Sequence, residues 1–125
     1  MKLLIVDDES ALCNMLQEHF EKHFECEVFT ANTPGDALEL LETEFPEGML
    51  LDVNLKSRLT GFDVLARARQ ISPGTKVIMV TSVNDFESIE KAMELGAVDY
   101  VTKPFTVDYL EETVTSKIAT HLMYA

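Results

Sequence analysis

Short apolar runs alternate with longer segments whose apolar residues recur every three or four positions, and the alternation repeats five times. In Lys2–Val6 a lysine is followed by Leu, Leu, Ile and Val, the pattern of a strand buried on both faces. Leu12, Met15, Leu16, His19, Phe20 and His23 then recur at helical spacing, with Ser10 as the expected N-cap. Cys26–Thr30 reads as the second strand. Thr33-Pro34 is an N-cap followed by proline at the first helical position, and Ala37, Leu38, Leu40 and Leu41 continue that helix. Gly48–Asp52 is the third strand and Gly61–Ile71 the third helix, stopped by Ser72-Pro73-Gly74. Lys76–Val80 is the fourth strand. Phe86, Ile89, Ala92 and Met93 mark the fourth helix, with Gly96 placed to cap its C-terminus. Ala97–Val101 is the fifth strand, and Val107, Leu110, Val114, Ile118 and Leu122 mark a fifth helix after Pro104.

Each strand is too apolar to be half-exposed, which predicts a parallel sheet covered by helices on both faces. Right-handed crossovers leave few arrangements. The expected fold is α/β, a flavodoxin-like, doubly wound (βα)5 unit whose five-stranded parallel sheet has strand order 2-1-3-4-5. Methionines at helical spacing are read as core.

Composition narrows this picture. The chain has 125 residues, enough for one domain with a real core, expected to span 1–125. Its 22 acids against 10 bases give a formal net charge of −12, which disfavours direct contact with nucleic acid and adsorption to anionic membranes. The run of apolar residues in Met-Lys-Leu-Leu-Ile-Val meets acids too soon for a signal peptide, so a cytoplasmic setting with Cys13 and Cys26 as free thiols is expected.

In an open sheet of this order, sites form beyond the carboxyl ends of the strands, where strand order reverses between the first and third. The first strand delivers Asp7, Asp8 and Glu9 there, and the third delivers Asp52. The fourth is followed by Thr81 and Ser82, the fifth by Lys103-Pro104. The second delivers Ala31 and Asn32, uncharged and expected to lie away from the cluster. Carboxylates without His or Cys suit a hard cation, and few protein ligands with room for water suit Mg²⁺. A dication, a nucleophilic carboxylate, a hydroxyl and a lysine are parts that stabilise a phosphoryl group in transfer. Each part alone has a plainer role: dipole partner, turn residue, capping hydroxyl or solvated lysine. Their conjunction at one sheet edge carries the reading.

With "LLIVDDES", "MLLDVN", Thr81-Ser82 after "VIMV", and "AMELGAVDYVTKPF", the chain resembles a receiver domain of a two-component response regulator over essentially its whole length. The resemblance implies that Asp52 is the phosphoacceptor for a phosphohistidine on a histidine kinase or phosphotransfer protein. It implies Mg²⁺ bound through the carboxylates of Asp8 and Asp52 and the backbone carbonyl of Asn54, with Asp7 acting largely through water. Lys103 and Thr81 would hold phosphoryl oxygens, Tyr100 would move with Thr81, and Lys103–Pro104 would be cis. Partner choice would be switched on the face formed by the fourth helix, fifth strand and fifth helix, a surface that could also form a homodimer. The output would lie in a downstream protein or a domain outside this chain. Such a chain is a signalling phosphoacceptor that catalyses only its own phosphoryl transfer and autodephosphorylation.

The sequence departs from the family after Asp52. Leu55-Lys56 replaces a Met-Pro-like pair, Gly61 lies nine residues past the acid rather than eight, and Lys56 and Arg58 make the loop basic. A Mg²⁺-dependent aspartyl-phosphate phosphohydrolase would place both acids as Asp-x-Asp after the first strand, whereas here they are adjacent. A flavin module would want an uncharged phosphate loop there. A docking-only receiver-like module would lack functional positions that this chain fills. His19 and His23 lack the glutamate of a zinc motif and read as helix-dipole partners, and His121 has no visible partner.

Overall fold

A computed structural model describes residues 1–123; Tyr124 and Ala125, which close the expected 1–125 domain, lie outside the described residues. Strands β1 (Lys2–Val6), β2 (Glu27–Ala31), β3 (Gly48–Asp52), β4 (Lys76–Ser82) and β5 (Asp99–Lys103) form one parallel sheet in the order β2-β1-β3-β4-β5. Alternate side chains point to opposite faces of the sheet. Leu3, Ile5, Leu50, Ile78 and Val101 therefore pack with Cys13, Leu16 and Phe20 of helix α1 (Ser10–His23) and with Leu110, Val114 and Ile118 of helix α5 (Val107–Met123). Leu4, Val6, Met49, Leu51, Val77 and Met79 face helices α2 (Pro34–Glu44), α3 (Gly61–Ile71) and α4 (Phe86–Glu94). Each fully buried aliphatic side chain contributes about 1.5–3 kcal/mol, so both faces are held by burial.

Several local expectations are corrected. The two edge strands are less buried than their apolar runs imply: only Val28 and Ala31 in β2, and Val101 in β5, are fully buried. Both run further than expected toward the carboxyl edge, and β4 continues through Thr81 and Ser82, because pairing with Thr102 and Lys103 outlasts the apolar run. The N-cap of α1 is Glu9 rather than Ser10, whose hydroxyl reaches Asn32 Oδ1 at 3.2 Å. Met15 and Met93, read as core, are exposed, and so are Phe86 and Val107 of the apolar stripes, since the sheet-facing stripe of each short helix is narrow.

Helix α5 opens at Val107–Tyr109, widens into π-helical turns over Leu110–Val114 and Ala119–Met123, and is α-helical at Thr115–Ile118. The wider turns keep Leu110, Val114, Ile118 and Leu122, each four apart, on the sheet face, where a 3.6-residue period would rotate them away. Both Thr115 N–H and its hydroxyl bond the Leu110 carbonyl. His19 Nε2 lies 2.8 Å from the same hydroxyl and ties α1 to α5, a packing role beyond the expected dipole one. Burial, followed by the charge of His23, lowers the pKa of His19.

Candidate functional site

Two Asx-type turns start at the ends of the central strands. Asp7 Oδ1 accepts the N–H of Glu9 at 2.9 Å, and Asp52 Oδ1 accepts the N–H of Asn54 at 3.1 Å. These bonds turn the chain while the second oxygen of each acid faces its neighbour. Asn32, expected away from the acids, belongs to their support: its Nδ2 donates to the Asp7 carbonyl at 2.9 Å and lies 3.6 Å from Cys13 Sγ. Cys13 is a buried free thiol, its pKa raised to about 11 chiefly by burial.

Asp7, Asp8 and Asp52 each offer an oxygen within 4.8 Å of the others. Unit charges so close repel by about 1 kcal/mol in water and about 4 kcal/mol at a protein surface. Lys103 Nζ crosses from β5 to lie 2.8 Å from both Asp7 Oδ2 and Asp52 Oδ2, with Glu9 Oε1 at 3.8 Å. Burial pulls the Lys103 ammonium down, but its bonds to Asp52 and Asp7 outweigh this and leave its pKa raised. Asp52 is 6% exposed, and burial raises its pKa against the pull of Lys103 and the Asn54 N–H. One half-buried ammonium between Asp7 and Asp52 does not neutralise this acid set. A hard dication with oxygen ligands fits it.

The loop after Asp52 is tied down by its own residues. Asn54 Oδ1 accepts the Lys56 N–H at 3.2 Å, and Leu55 is buried against the α3 side of the core. Lys56 has a left-handed backbone (φ 50°), and its ammonium lies 3.7 Å from Asp8 Oδ2. Gly61 N–H reaches the Val53 carbonyl at 2.8 Å, and a Cβ on Gly61 would collide with the Asp52 carbonyl. That close approach accounts for glycine at this position.

Thr81 is buried, with its hydroxyl 3.5 Å from Asp85 Oδ2. Asp85 also caps α4 by accepting the Ser88 N–H at 3.2 Å, and this bonding lowers its pKa. Asp85 was not among the expected site residues, although Asp three residues before Ser at a helix start is a readable cap signal. Tyr100 is half-buried; Lys117 Nζ sits 4.7 Å over its ring and donates to its carbonyl. The Lys103–Pro104 peptide is cis. His121, expected without a partner, bonds Asp99 Oδ2 at 2.9 Å.

A cavity of about 140 Å³ lies over the acids, lined by Asp8, Asp52, Asn54, Lys56, Thr81 and Lys103. A larger hollow of about 640 Å³ between α3 and α4, lined by Phe62, Lys91 and acidic residues, contains none of these groups. The acids, Thr81 and both lysines meet at the smaller one.

The family description "response regulator receiver domain" matches residues 3–115. The chain belongs to this family. Among curated relatives, this receiver domain is 32% identical over 113 residues to sporulation initiation phosphotransferase F of Bacillus subtilis, covering 90% of each chain. It is 29% identical over 119 residues to the chemotaxis protein CheY of Halobacterium salinarum, covering 92% of this chain and 98% of that one. It is 37% identical over 105 residues to the alkaline phosphatase synthesis transcriptional regulatory protein PhoP of Bacillus subtilis, covering 84% of this chain and 43% of that one. A solved CheY-like receiver domain from Methanospirillum hungatei is 31% identical with a TM-score of 0.83, covering 99% of this chain and 98% of that one. The receiver fold and its place in two-component signalling follow from this membership. No helix among the described residues is long and apolar enough to cross a membrane.

Proposed function

We propose that residues 1–125 act as a single phosphoacceptor domain in which Asp52 takes a phosphoryl group from the phosphohistidine of a histidine kinase or phosphotransfer protein. The observation that supports this most is the meeting of Asp7, Asp8 and Asp52 around Lys103 at the carboxyl edge of the sheet. An Asp52 carboxylate oxygen attacks phosphorus, an O–P bond forms, and the P–N bond to imidazole breaks with its electron pair leaving on nitrogen. Burial raises the Asp52 pKa, and Lys103 and the Asn54 N–H act against it by favouring the ionised carboxylate that attacks. Mg²⁺ would be held by Asp8, Asp52 and the Asn54 carbonyl, with Asp7 acting through water, and supplies charge neutralisation during transfer.

After transfer, Lys103 pairs with a phosphoryl oxygen, and Thr81 turns from Asp85 to another. The 3.5 Å Thr81–Asp85 contact is long, so little opposes that rotation. Because Asp85 caps α4, the rotation alters the start of that helix, and Tyr100 moves into the space Thr81 vacates. The face of α4, β5 and α5 thereby changes, and it presents the signal to a downstream protein, a linked output domain or a second copy. The chain works as a cytoplasmic signalling phosphoacceptor and processes no separate substrate.

Intact-protein mass after incubation with Mg²⁺ and acetyl phosphate tests the reading. A single phosphoryl adduct is expected that vanishes with chelator and in Asp52→Asn. An adduct of equal yield in Asp52→Asn would overturn the assignment.

A further inference from the structure

Lys103 pairs with Asp7 and Asp52; the salt bridge to Asp8 comes instead from Lys56, at 3.7 Å. The two lysines line one cavity and differ in freedom: the Lys103 side chain is 26% exposed and the Lys56 side chain 72%. Burial of Leu55 and the bond from Lys56 N–H to Asn54 Oδ1 fix the root of the Lys56 side chain. Its four-carbon stem leaves the ammonium free to approach Asp8 or withdraw into water. We propose that Lys56 is a tethered competitor of the divalent cation at Asp8 and so sets the metal affinity of this site. The inference rests on the reading of Asp8 as a metal ligand given above.

An ammonium and a dication beside one carboxylate oxygen repel each other, so Lys56 withdraws from Asp8 for the metal to be held there. The withdrawal loses one exposed ion pair, and pairs of that kind change an equilibrium by about two- to fivefold. Lys56 thus holds the site partly neutralised while metal is scarce.

Calorimetric titration of Mg²⁺ into the phosphate-free protein at low ionic strength tests the role. Lys56→Met keeps the stem and removes the charge; it is expected to bind Mg²⁺ about two- to fivefold more tightly. High monovalent salt should shrink that gain, and Lys56→Arg should stay near wild type. Lys22→Met removes the same charge roughly 18 Å along α1 from Ser10 and should leave affinity unchanged. Equal affinity in Lys56→Met and wild type, or an equal gain in Lys22→Met, would overturn the competition. Saturable binding by wild type separates that result from failure of the site itself; no binding by any variant would overturn both readings.

Discussion

At its first residue β5 presents one carboxylate to a lysine and an imidazole; at its last it presents one ammonium to three carboxylates. Asp99 Oδ1 pairs with Lys117 at 3.0 Å, and Oδ2 with His121 at 2.9 Å. The Tyr100 N–H bonds Asp99 Oδ1 as well. Burial pushes the Asp99 carboxyl up, but these three partners outweigh it and its pKa is lowered. At the other end Lys103 serves Asp7, Asp52 and Glu9, and burial leaves Asp52 with a raised pKa. Two ionic clusters on one strand therefore differ: a satisfied clamp at one end and an excess of negative charge at the other. Nearly saturated charge stabilises the fold; unsaturated, buried charge costs it free energy, and that contrast is what the proposed function draws on.

The largest effect should come from removing the shared ammonium. Lys103→Met leaves Asp7 and Asp52 buried without their counter-ion, and urea unfolding of the metal-free protein should show a loss of about 3 kcal/mol. A loss below about 1 kcal/mol would show that water already solvates these acids. Asp99→Asn comes next, with an expected cost of about 1–2 kcal/mol at neutral pH as Lys117 and His121 lose their charged partner. Because the folded Asp99 pKa lies below its unfolded value, its stabilisation is present above the ordinary carboxylate pKa. It is lost as pH falls through the folded value, so the variant and wild type should converge in acid. A gap that persists in acid would mean that packing rather than charge is lost.

The same contrast explains what the sequence shows and what it hides. Strand order and the meeting of Asp7, Asp8 and Asp52 follow from apolar runs that end in acids, because each run delivers its next residues to the same edge. The supporting polar contacts do not follow. Asn32 bonds the Asp7 carbonyl from a neighbouring strand, Thr81 reaches Asp85 across a turn, and His121 meets Asp99 over 22 positions. Such partners are set by side-chain reach in three dimensions and leave no periodic trace in the chain. Lys56 stands between these cases: its basic loop is visible in sequence, but its pairing with Asp8 depends on a left-handed backbone held by Asn54.

Asp52→Asn should give the smallest change in stability and the opposite sign. Asparagine keeps the shape and an acceptor for the Asn54 N–H, while Lys103 keeps Asp7 at 2.8 Å. What is lost is a buried carboxylate whose folded pKa lies above its unfolded one, and whose ionised form therefore costs the fold free energy. That cost is absent below the ordinary carboxylate pKa and sets in as pH rises through the raised value. The metal-free Asp52→Asn variant should match wild type in acid and exceed it by about 1 kcal/mol at pH 7. Urea midpoints across that pH range provide the measurement. If Asp52→Asn instead loses stability at pH 7, the Asp52–Lys103 pair is a clamp like that of Asp99, and the two ends of β5 are alike. A gain at pH 7 alone, together with a loss in Asp99→Asn, would establish that ionised Asp52 costs the metal-free fold free energy and that the two ends of β5 differ in kind.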